Sequence, residues 1–139
     1  MVLLTVSACT HHPIPLGIVR HVPIYFHNSM LFGENIKLME EKNEFIVATG
    51  MIDTTDEYPP VKVAFISIDK QLMQLNFMET TKNGDEITNA YYANGFTLLV
   101  SFTMEEKEDQ KNIYEKAHLR IGNKDKHSEY IVFGKTGYL

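Results

Sequence analysis

Apolar and polar residues alternate along most of the chain beyond residue 44, the period-2 signature of β-strands. The clearest run is 96–104, where Phe96, Leu98, Val100, Phe102 and Met104 share one face. Thr97, Ser101 and Thr103 take the other face, as expected of a strand packed on one side only. Asn94-Gly95 just before it predicts a tight turn. Phe45, Val47 and Met51 alternate with Ile46, Ala48 and Ile52, predicting a strand covered on both faces. Residues 61–68 (VKVAFISI) are also apolar on both sides and rich in β-branched residues. Met73, Leu75 and Phe77 face away from Gln74 and Asn76, and Lys82-Asn83-Gly84-Asp85 reads as a hairpin turn. Leu119 and Ile121 alternate with His118 and Arg120 up to a second turn at Gly122-Asn123-Lys124-Asp125, and 129–133 makes a last short strand.

Seven or eight short strands at roughly ten-residue spacing predict an all-β fold. The expected architecture is an antiparallel β-sandwich or open barrel with at most one short helix. The rival is an α+β fold with one helix. The helix candidate is 105–116, a charge run whose apolar residues are limited to Ile113, Tyr114 and Ala117. Such a run reads as a solvated loop or a surface helix. Residues 1–28 differ from the rest, holding Pro13, Pro15, Pro23 and four of the six histidines. Proline fixes φ and removes a donor, so this segment reads as an extended arm leading into a strand at 21–27. Residues 29–139 are then a single β domain. An arm with few local contacts is expected to dock on its own sheet or on another chain.

At 139 residues the chain supports its own core. Its net charge of −5, with basic residues interleaved among acids, argues against nucleic acid as a partner. A lone cysteine, Cys9, rules out an intramolecular disulfide. No apolar run approaches the ~20 residues of a membrane span. These features favour a cytoplasmic protein. Val6-Ser7-Ala8-Cys9, however, matches the short pattern at which bacterial lipoproteins are cleaved and lipidated on cysteine. Met1-Val2-Leu3-Leu4-Thr5 lacks Lys and Arg and is shorter than the apolar stretch of about 7 to 15 residues that a signal needs. Lipidation of Cys9, and a cell-envelope location, would require a start further upstream.

Candidate chemistry is sparse. His11, His12, His21 and His27 invite a metal reading, but six residues of strand hold His21 and His27 ~20 Å apart. Only Cys9 offers a further ligand nearby. Asp53, Asp56 and Glu57, and Asp85 with Glu86, sit in turns where some β domains hold calcium. No EF-type spacing is present, and acids in turns mostly serve backbone geometry. No cofactor and no metal are expected, with His11, His12, Asp53 and Asp56 the nearest to candidates. The chain lacks a G-x-S-x-G elbow, a P-loop and a G-x-G-x-x-G turn, so it is not expected to be an enzyme. Sequence spacing is silent on the carboxylate pair that a small hydrolase would use. Tyr25, Tyr91, Tyr92, Asn94 and Phe96 are the candidate interface, either an aromatic binding surface or rings covering strand ends.

Between 45 and 133, Phe45 with Gly50-Met51-Ile52, Leu75-Asn76-Phe77, Leu119-Arg120-Ile121-Gly122 and Tyr130-Ile131-Val132-Phe133 occur in an order that resembles a family of short uncharacterised bacterial all-β domains. The resemblance implies the fold and, since that family carries no assigned activity, no function. The expected role is a non-catalytic protein-interaction or assembly module, a subunit of a larger complex or a homo-oligomer. Contact would be made through the N-terminal arm or a sheet edge. The alternative is a lipid-anchored cell-surface domain that binds a ligand or a glycan.

Overall fold

The computed structural model describes residues 12–23, 25–53, 58–103 and 115–136. Eight strands follow in order: β1 (Phe26–Gly33), β2 (Val47–Ile52), β3 (Val61–Ile68), β4 (Gln71–Asn83), β5 (Glu86–Ala93), β6 (Phe96–Thr103), β7 (Glu115–Gly122) and β8 (His127–Thr136). Among the described residues one helix, α1 (Ile36–Lys42), lies between β1 and β2. Each strand pairs antiparallel with the next, and β8 returns to β1 through Met30↔Thr136, Leu31↔Lys135, Phe32↔Gly134 and Gly33↔Phe133. The fold is therefore all-β, but it is a closed barrel rather than a sandwich or an open barrel. Period-2 alternation demands one buried face and fits either arrangement. Here every connection joins neighbours, and the accumulated twist brings the first and last strands together. Closure joins the first strand to the last, but β4 outruns β3: among the described residues 77–83 pair on the β5 side alone.

The core has two layers. Phe32, Val47, Ala64, Leu75, Leu98, Leu119 and Val132 fill the barrel interior. Leu31, Ala48, Val63 and Phe65 point outward from β1, β2 and β3, where Met39 of α1 and Val19 and Phe45 cover them. That second layer explains why β2 and β3 are apolar on both faces while β7 and β8 alternate cleanly.

The arm differs in detail from its expectation. Residues 21–23 are not a strand; Phe26 N–H donates to Pro23 C=O (3.0 Å), closing a turn, and β1 starts there. Before it, the described part of the arm docks on its own barrel. Ile14 N–H donates to Ser128 Oγ (2.7 Å), and Tyr130 O–H donates to Ile14 C=O (2.8 Å). Leu16 N–H donates to the same Tyr130 oxygen (2.9 Å), and the His12 ring stacks on Tyr130 at 4.0 Å. Gly17 then bonds Ser67 and Val19 bonds Phe45 through the backbone. Pro13 and Pro15 lack N–H groups, so the arm is held by the donors of residues between and beyond them.

The one helix among the described residues is α1. Asn35 Oδ1 accepts from Leu38 N–H (3.1 Å) at its start, and Asn43 at φ 52° closes its end. Residues 105–114 of the expected helix lie outside the described residues, while Glu115 and Lys116 open β7.

Candidate functional site

The arm and the β3–β4, β5–β6 and β7–β8 turns all gather at one end of the barrel. At the opposite end, alternation turns Met30, Thr49, Met51, Lys62, Phe77, Ile87, Asn89 and Phe102 toward the interior. Lys62 is exposed and the others are half-buried. One step deeper, Phe32, Val47, Ala64, Leu75 and Val100 are sealed at 0–1% exposure. Six strands thus set a ring of half-buried side chains over a closed apolar layer.

A line of aromatic and polar groups runs down one side of it. Lys62 Nζ sits 4.9 Å above the centre of the Phe77 ring, a cation–π contact at the rim. Phe77 meets Tyr91 edge-to-face, with centroids 5.8 Å apart. Tyr91 is buried, with the Thr49 side chain near its hydroxyl. Thr49 Oγ1 in turn donates to Met30 C=O (3.3 Å). Burial pushes the Tyr91 phenol up to about 12, only partly offset by the neighbouring Thr49 side chain. Thr80 Oγ1 donates to Asn89 Oδ1 (2.6 Å) on the neighbouring wall. Apolar walls with a few convergent polar groups are what small-molecule sites are made of.

The candidate interface residues do not form one surface. Tyr91 faces the interior and is buried, whereas Tyr92, the next residue, faces outward at 47% exposure. Adjacent strand residues always divide this way. Phe96 is inside but near the arm end, Asn94 occupies the exposed β5–β6 turn at φ 51°, and Tyr25 is exposed before β1. Of the residues nearest to metal candidates, His12 stacks on Tyr130, and Asp53 Oδ1 lies 3.0 Å from His27 Nε2. Cys9, His11 and Asp56 lie outside the described residues. Among the described residues, no three His, Cys, Asp or Glu side chains converge as a metal site would require.

No protein-family model, curated protein or solved structure matches the chain. Among the described residues no helix is long and apolar enough to cross a membrane. Function must therefore be read from the barrel itself. Sequence reading missed Met30, Met51, Lys62, Ile87 and Phe102 as a group, because they come from five different strands. One local signal was present. Lys62 shares its face with Ala64 and Ile66 in a strand otherwise apolar on both sides, which marks the level at which burial along β3 ends.

Proposed function

We propose that the chain is a non-catalytic binding module that holds a small amphipathic molecule in the cup opposite the arm. The observation that carries this reading is the ring of half-buried, inward-facing apolar side chains above a fully sealed layer. An eight-stranded barrel has an interior wide enough either for its own side chains or for one small ligand. Here the side chains fill the middle and the arm end, where Ile14 is buried and Leu16 packs on the core. At the far end the inward-facing side chains are only half-buried, and the ligand would lie there. Its apolar part would lie against Met30, Met51, Ile87 and Phe102, and Lys62 suits an anionic head at the rim.

Assembly through the arm is supported less well, because residues 12–19 are engaged with the chain's own barrel. Calorimetric titration with dodecanoate tests the cup directly. A saturable heat is expected for the wild type and none for Ile87→Arg, which sets a charge on the wall. A folded Ile87→Arg variant that binds dodecanoate unchanged would sink the proposal.

A further inference from the structure

A second site lies on the outside of the barrel at the arm end. Tyr92, Thr97, Gly122 and His127 are successive cross-strand partners on β5, β6, β7 and β8. Their neighbours Tyr91, Leu98, Ile121 and Ser128 are buried inside, so this row faces outward. Gly122 leaves a gap in the row, and a groove of about 560 Å³ opens there. Neither packing nor backbone demands glycine at this position. An added Cβ would meet only His127 Cβ and Lys126 O, both at an ordinary 3.5 Å, and its φ is not positive.

The walls of the groove are mostly of one charge. Arg120, Lys124 and Lys126 line it, beside His127, against the single carboxylate of Asp125. Glu129 is the cross-strand partner of Arg120, yet the one ion pair among the described residues joins His27 to Asp53. Asn123 fixes the turn that carries the lysines. Its Oδ1 accepts from Asp125 N–H (2.9 Å) and Lys126 N–H (2.8 Å), and its own N–H donates to Lys126 C=O (2.9 Å). This local excess of cations runs against a net charge of −5.

We infer that the groove binds a small phosphate-bearing molecule, with the phosphate over Gly122 and the organic part against the ring of Tyr92. A phosphate oxyanion uses the guanidinium fork and the point charges of lysine together, which a monoanion does less well. The volume falls within the range of roughly 300–1,000 Å³ typical of small-molecule sites.

Amide NMR titration of the isotope-labelled full chain with adenosine monophosphate, inorganic phosphate and acetate, at constant ionic strength, tests this. Saturable shifts at Thr97, Gly122 and Lys126 are expected with both phosphate compounds, stronger with the nucleotide, and absent with acetate. Arg120→Ala should weaken nucleotide binding about tenfold. Tyr92→Ala should weaken the nucleotide but not inorganic phosphate. Gly122→Val fills the floor with a residue that strands favour and should abolish both. If that variant fails to fold, the Arg120 and Tyr92 variants decide the matter. No saturable response to either phosphate compound, an equal response to acetate, or a response only to an acidic peptide would overturn the inference. So would binding that survives in a folded Gly122→Val barrel.

Discussion

Tyr91 links the packing of the interior to pH. Its phenol has a pKa of about 12 in the folded chain, against an ordinary value of 10.0. The folded state therefore holds this proton where the unfolded state has released it. The associated stability is complete below pH 10 and is lost as pH climbs through 12, on the order of 2 kcal/mol. Tyr130 is shifted in the same direction and adds to the decline. Tyr91→Phe keeps the ring packed against Phe77 and should stay folded at pH 7. It should also show a shallower fall in melting temperature between pH 10 and 12. A slope equal to wild type would contradict this account of Tyr91. Gly33 makes a second residue-scale case. A Cβ there would lie 2.6 Å from Met39 Cγ and 2.8 Å from the Glu44 carbonyl. The carbonyl is backbone and gives little, so Gly33→Ala should cost about 1–3 kcal/mol in urea denaturation. Gly122→Ala should be close to neutral in the same experiment.

At the scale of elements, the arm is held by a few specific contacts. Ile14 is buried in the barrel core at 5% exposure, and both its backbone groups are bonded to β8. Ile14→Ala should destabilise the chain by about 2–4 kcal/mol, read from the denaturant midpoint. An unchanged midpoint would mean that the arm does not dock in this way. The strands were legible in the sequence because alternation is local. VKVAFISI, for example, delivered β3 with its observed bounds and both faces buried. The arm's docking was not legible, since Ile14 and Tyr130 lie 116 residues apart and no periodicity connects them. Helix α1 was hidden for a different reason. Met39 is the one buried residue among its seven, so the signal resided in the caps, Asn35 and Asn43, rather than in a stripe.

At the scale of the molecule, closure decides what the chain can do. The pattern of strands and turns predicted all-β architecture, and nothing in it distinguished two stacked sheets from one sheet closed on itself. Closure joins β1 to β8 and creates an inside. The arm stops one end of that inside and leaves the ring around Phe102 and Ile87 half-covered at the other. The cup was illegible for that reason. Its residues are individually unremarkable members of alternating strands and come together only when the barrel closes. The chain contains no tryptophan, so Phe102→Trp places a lone indole on the cup wall. Its fluorescence, followed during titration with dodecanoate, is the most direct test of the central claim. A saturable blue shift, abolished by adding Ile87→Arg, is the predicted result. An emission spectrum that dodecanoate leaves unchanged, in a barrel otherwise folded, would contradict it.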